Sequence, residues 1–138
     1  MTPIYIATAV STGTGRDGHV ETSDGKVSLD LAYPKDVGGS GAGSNPEQLV
    51  ATGYAACFSS ALAVVARRRN VLMPAAEVTC NVSLHKSGDD YSLSFEIVAR
   101  LPGVPSDEAE AIVAEAHTVC PYSKAFTQGA PTHAHAET

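Results

Sequence analysis

The sequence predicts a mixed fold of antiparallel β-hairpins packed against two helices, as one domain over residues 1–138. Three observations predict it. A stretch from Asn45 to Asn70 carries helix signals at both ends and no charge between Glu47 and Arg67. Residues 77–101 alternate apolar and polar side chains on either side of a turn, and a second helical pattern begins at Ser106. A chain of 138 residues is long enough to bury a sizeable core in one domain.

Residues 4–12 (IYIATAVST) favour a strand, with Ile4, Ile6 and Thr8 alternating against Tyr5 and Ala7. A turn-rich connector follows, Thr12 to Gly18, with Arg16 inside it. His19–Thr22, a turn at Ser23-Asp24-Gly25 and Val27–Tyr33 read as a hairpin with one buried face. The glycine-rich loop Pro34–Ser44 lacks a Gly-Lys-Ser/Thr ending, and Glu47 beyond it would repel an anion, so it reads as a close-packed loop rather than a phosphate cradle.

In the central helix, Asn45 is placed as N-cap, Pro46 at the first helical position and Gln48 as capping-box partner. Arg67, Arg68 and Arg69 suit the negative end of the helix dipole. Val50, Tyr54, Cys57, Phe58, Ala61 and Val65 form a bulky apolar side. Thr52, Gly53, Ala56, Ser59, Ser60 and Ala63 form a small side that another backbone could approach closely. The uncharged run is long enough to raise a membrane span, but its Ala, Ser, Thr and Gly content makes it only mildly apolar, and a core helix is expected.

The strands of the 77–101 hairpin place Val78, Cys80, Val82 and Leu84 on one face, and Tyr91, Leu93, Phe95, Ile97 and Ala99 on the matching one. Cys80 therefore reads as core. Ser106 is expected to cap the second helix, with Asp107 and Glu108 in its first turn and Pro121 ending it after Cys120. The tail from Thr132 to Glu137 could form a short final strand. His133 and His135 would share a side of it, but with no clustered carboxylate or cysteine a solvated edge is expected and no metal.

A net charge of −6 and a pI near 5.2 argue against nucleic acid as a partner. The first residues lack a basic segment followed by a long apolar one, so no signal peptide is expected, and the expected location is cytoplasmic with no membrane partner. Three cysteines do not make a secretory disulfide framework. Taken alone, Cys57 reads as a buried small hydrophobe. Cys57 and Cys120 nonetheless lie on the inward faces of two helices that would share a sheet, where a disulfide is one open arrangement. Cys120 falls at a helix C-terminus, which disfavours a thiolate. Cys57 sits in apolar surroundings, which need a cation, such as an arginine, to favour one.

The segments TGTGRDGHV (Thr12–Val20), NPEQLVATGYAACFSSAL (Asn45–Leu62) and AHTVCPYSKA (Ala116–Ala125) together resemble the organic hydroperoxide resistance proteins of the Ohr/OsmC superfamily. Their order and the intervening strands match too, and Cys-Pro-Tyr-Ser favours the Ohr branch over its OsmC relatives. The resemblance implies an α+β fold assembled as an intertwined homodimer. It implies Cys57 as peroxidatic cysteine, Cys120 as resolving cysteine, Arg16 as the residue that stabilises the thiolate, and Glu47 as the carboxylate that holds Arg16. It also implies an organic hydroperoxide as substrate and a dihydrolipoyl group on a lipoylated protein as reductant, with no bound cofactor. Phe58, Tyr122 and Phe126 are candidate walls of an apolar substrate pocket. Lys124 and residues 125–129 depart from the usual pattern, and Cys80 has no counterpart in it.

Glu47 and Cys57 are ten positions apart, about 15 Å along a continuous helix. An Arg16 touching Cys57 cannot easily also reach Glu47 of its own chain, so Arg16 and Glu47 are expected to serve Cys57 of the partner subunit. Three functions remain in view: a peroxidase for organic hydroperoxides, with a general OsmC-like peroxidase close to it; a non-catalytic module holding a hydrophobic molecule in the same cleft; and a redox sensor signalling through its disulfide.

Overall fold

The computed structural model describes residues 2–138, and its contacts fall into two compact units, 1–49 and 50–138. The first unit is a three-stranded antiparallel sheet in the order β1 (Ala9–Thr12), β2 (His19–Thr22), β3 (Ser28–Asp30). Arg16 lies in a short 3-10 turn, Gly15–Asp17, between β1 and β2. The expected first strand is shorter than its sequence pattern. Strand β2 pairs with residues Ala9 to Thr12, and Ser23 just beyond it still donates its N–H to the Thr8 carbonyl at 2.9 Å, so residues 4–7 lie outside the ladder. Ile4, Tyr5 and Ile6 are left exposed at 105%, 77% and 72%.

The strand expected over Val27–Tyr33 also shortens. Val27 is 41% exposed, and Leu31, whose N–H donates to the Gly18 carbonyl, also bridges Ser44 in parallel. Leu31 and Ala32 are both buried, so the two faces of the chain are covered there.

Helix α1 (Pro46–Arg68) begins as its sequence indicates. The Asn45 side chain accepts from the Gln48 N–H at 2.9 Å, and the Asn45 N–H donates to Gln48 Oε1 at 3.2 Å, a reciprocal capping box. By length and composition α1 could cross a membrane, with a mean hydropathy of 1.8 over its most apolar window. Here Tyr54, Phe58, Ala61, Leu62 and Val65 form the core of the second unit. Leu62, which the sequence pattern did not assign to either side, is 1% exposed.

Against that core pack β4 (Glu77–Ser87) and β5 (Asp90–Arg100), an antiparallel hairpin with Cys80 opposite Ile97 and Val82 opposite Phe95. Cys80 packs on the core as expected. The far end of the same face is open: Leu84, Tyr91 and Leu93 are 37%, 59% and 41% exposed.

Helix α2 (Ser106–Val119) starts with Pro105 as N-cap, so Ser106 is its first residue and makes no capping bond. Pro121 ends it as expected but also opens a third helix, α3 (Pro121–Gln128), absent from the sequence reading. Proline suits the first helical position, where its missing N–H costs nothing. The tail forms no strand. The His133 and His135 rings lie 5.2 Å apart, and no group of three His, Cys, Asp or Glu that could hold a metal occurs among the described residues.

The capping box gives a direct test of how α1 is started. Asn45→Ala is expected to lower unfolding stability by about 1 kcal/mol in urea titration, and Asn45→Ser, which keeps an acceptor, by less.

Candidate active site

Helix α3 makes the site. Cys120 is the residue between α2 and α3, completely buried, and it acts as N-cap of α3: its sulfur accepts the Ser123 N–H at 3.5 Å. The sequence reading placed Cys120 at the negative end of α2. The structure adds the positive end of α3 at the same residue, so Cys120 stands at the end of one helix and the start of the next. The spacing Cys120-Pro121-x-Ser123 follows the N-cap, N1 and N3 positions of a helix start, so this signal was present in the sequence.

From α1, Cys57 brings its sulfur to 3.5 Å from that of Cys120. Both are free thiols. Burial pushes the Cys57 thiol up from its ordinary value, and the neighbouring Cys120 adds to the rise; the Tyr122 backbone N–H, donating to the Cys57 sulfur, pulls the other way. The first turn of α3 thus offers consecutive N–H groups, Tyr122 to one sulfur and Ser123 to the other. A disulfide needs about 2.05 Å between sulfurs, so closing the pair takes an approach of roughly 1.5 Å.

The pair shares its core with Tyr54, Phe58 and Phe95, which belong to an aromatic cluster. Tyr54 meets Tyr122 at 5.8 Å and Phe126 at 5.4 Å between centroids, and Phe126 stacks on Phe95 at 4.4 Å. Of the three aromatic residues expected to line a pocket, Phe58 is 1% exposed within the core, while Tyr122 and Phe126 keep 37% and 43% of their surface open. Gly53 does not belong with the small outward side of α1. A Cβ there would lie 2.6 Å from the Tyr122 hydroxyl, so the missing side chain is what seats that ring against the helix.

A polar cluster beside the thiols went unnoticed in the sequence. Ser123, fully buried, has its hydroxyl 2.8 Å from the Tyr54 hydroxyl and 2.9 Å from His117 Nδ1. Burial pushes the Tyr54 phenol up, so it stays protonated and able to donate. Nothing in periodicity marks three such residues, on three helices, as neighbours.

In the first unit, Arg16 and Glu47 form a two-pronged pair, Nη1 to Oε2 at 2.8 Å and Nη2 to Oε1 at 2.6 Å. That bond to Arg16 holds the Glu47 carboxyl below its ordinary value, so it stays ionised. A fork-to-fork pair of this kind fixes the guanidinium in orientation as well as charge.

A second constellation deserves comparison. Ser28 Oγ lies 3.2 Å from His19 Nε2, and His19 Nδ1 lies 2.9 Å from Asp30, the order of a hydrolase triad. Its carboxylate is 91% exposed. A triad needs a buried carboxylate to fix the imidazole and stabilise its cation, so this is a solvated surface ladder.

The family model for OsmC-like proteins matches residues 38–135. The chain is 46% identical over 127 residues to the organic hydroperoxide resistance protein OhrA of Bacillus subtilis, covering 89% of each chain. It is 37% identical over 124 residues to the organic hydroperoxide resistance protein of Xanthomonas axonopodis pv. citri, covering 88% of this chain and 87% of that one. The crystal structure of an organic hydroperoxide resistance protein from Legionella pneumophila superposes with a TM-score of 0.86 at 44% identity, over 93% of both chains. With its thiol pair, its mixed α+β architecture and these relatives, the chain belongs to the OsmC-like family, in the branch of the organic hydroperoxide resistance proteins.

Proposed function

We propose that the protein is a thiol peroxidase that reduces organic hydroperoxides to alcohols, with Cys57 as the attacking and Cys120 as the resolving cysteine. The observation that carries this reading is the pair of free thiols 3.5 Å apart, each receiving a backbone N–H from the start of α3. A structural cysteine pair needs neither the donors nor the freedom from a bond.

The chemistry then follows from the arrangement. The Cys57 thiolate attacks one peroxide oxygen, the O–O bond breaks, and the alkoxide takes a proton and leaves as alcohol. Cys57 is left as sulfenic acid. The Cys120 sulfur attacks that sulfur, the S–O bond breaks, water leaves, and a disulfide forms. An external dithiol, read as a dihydrolipoyl group on a protein, restores both thiols by two exchanges and is itself oxidised to a cyclic disulfide. The open edges of Tyr122 and Phe126 favour a substrate with a hydrocarbon tail.

Burial opposes the ionisation that the first step requires, so a cation must join the site. Arg16 fills that role in this reading, oriented by Glu47. Because Glu47 precedes Cys57 by ten positions, about 15 Å along a helix, the pair is assigned to the partner's Cys57 in a homodimer. Two surfaces support a dimer. Ile4, Tyr5 and Ile6 form an exposed apolar segment, and Ala56, Ser59, Ser60 and Ala63 form an exposed uncharged face on α1. A cytoplasmic location fits the free thiols of a reduction cycle.

Cys57→Ser is expected to abolish turnover of cumene hydroperoxide with a lipoyl dithiol, measured by loss of the peroxide. Cys120→Ser should permit one oxidation per subunit and no lipoyl-dependent cycle; steady turnover by it would remove the disulfide from the mechanism. Co-expressed Cys57→Ser and Arg16→Ala chains test the shared site. Mixed dimers should regain close to half of a normal dimer's activity, since one site then holds both intact residues. No recovery in purified mixed dimers would place Arg16 with its own Cys57.

A further inference from the structure

We propose that Ser123 is a positioning residue for the resolving cysteine, its hydroxyl locking the first turn of α3 so that the Cys120 sulfur stays within reach of Cys57. The inference rests on the reading of Cys57 and Cys120 as a redox pair.

The observation behind it is a buried hydroxyl that ties three helices together. Ser123 is completely buried and lies in the first turn of α3, three residues after Cys120. Its hydroxyl meets Tyr54 of α1 at 2.8 Å and His117 of α2 at 2.9 Å. Its backbone N–H meets the Cys120 sulfur. One residue therefore links the helix carrying Cys57, the helix leading to Cys120 and the helix that Cys120 caps. Burying a hydroxyl without partners is unfavourable, whereas an alanine or glycine here would bury nothing polar. Its two bonds run to the elements whose separation sets the sulfur distance.

The mechanical consequence concerns closure. Disulfide formation shortens the sulfur separation from 3.5 Å to about 2.05 Å, a movement small enough for side-chain rotation if α3 keeps its place. Without the hydroxyl, the start of α3 keeps Pro121, the Lys124 N–H bond to the Cys120 carbonyl, the packing of Tyr122 and Phe126 and the weak bond to sulfur, but loses its side-chain bonds to α1 and α2. The two thiols then spend less time in register, and their effective concentration falls. The expected effect is on the stability of the Cys57–Cys120 disulfide. The closing reaction is the exchange of both thiols with an oxidised dithiol: the S–S bond of the protein forms, that of the reagent breaks, and the reagent takes both protons.

The experiment equilibrates the full-length protein with reduced and oxidised dithiothreitol and quantifies the Cys57–Cys120 disulfide by mass spectrometry. Ser123→Ala and Tyr54→Phe are each expected to lower the equilibrium constant for the disulfide about ten-fold, a rise of about 30 mV in its potential. His117→Ala should act in the same direction. His117→Asn, which returns a hydrogen-bonding group near the place of Nδ1, should restore the wild-type value to within two-fold. Tyr54→Phe keeps ring and volume, so it decides the matter even if Ser123→Ala unfolds. Equilibria for Tyr54→Phe and His117→Ala within two-fold of wild type, or shifted toward the disulfide, would overturn the proposal. Peroxide consumption by the unaltered protein is measured separately, so failure of the peroxidase reading and failure of the positioning role leave different signatures.

Discussion

Desolvation of two sulfur atoms is the constraint on which the second unit depends. A thiol in apolar surroundings resists ionisation, and Cys57 is pushed up by its burial before any other influence. In the proposed account, the same surroundings that suit a hydrocarbon tail therefore oppose the thiolate that attacks the peroxide. Backbone N–H groups at the start of α3 resolve part of that conflict, because they donate to sulfur without bringing a charged side chain into the core. In the proposed account the remainder falls to a guanidinium, held in orientation by a carboxylate that its own ion pair keeps charged.

Much of the packing follows from that arrangement. Tyr54 closes the aromatic cluster and also bonds to Ser123, so one side chain serves both the apolar wall and the polar clamp. Gly53, one position earlier, leaves room for the Tyr122 ring. Filling that space would move the residue whose backbone N–H faces Cys57. Substitutions at such positions would change geometry at sulfur without touching either cysteine.

The sequence made the long elements legible for physical reasons that reach only short distances along the chain. The capping box at Asn45 and the alternation over residues 77–101 are local patterns, and the structure contains both. The first strand was overestimated because β propensity says nothing about where a neighbouring strand ends. Pro121 marks the end of α2 in the sequence pattern, although proline also starts helices, and α3 begins at that same residue. Cys120 therefore stands at the start of α3 as well as at the end of α2. The cysteines and Arg16 with Glu47 came from recognising several motifs together, since each alone had a bland structural reading. The Tyr54, His117 and Ser123 cluster depends on how three helices meet, a tertiary fact with no periodic trace.

The most direct test of the central claim is a stopped-flow comparison of two oxidants on the fully reduced protein, following oxidation of Cys57. An apolar, aromatic-lined site that uses its thiolate on hydrocarbon peroxides should react with cumene or fatty-acid hydroperoxide at least about a hundred-fold faster than with hydrogen peroxide, since a buried hydrocarbon tail contributes about 0.8 kcal/mol per methylene. Equal rates for the two oxidants, or oxidation that begins at Cys120, would contradict it.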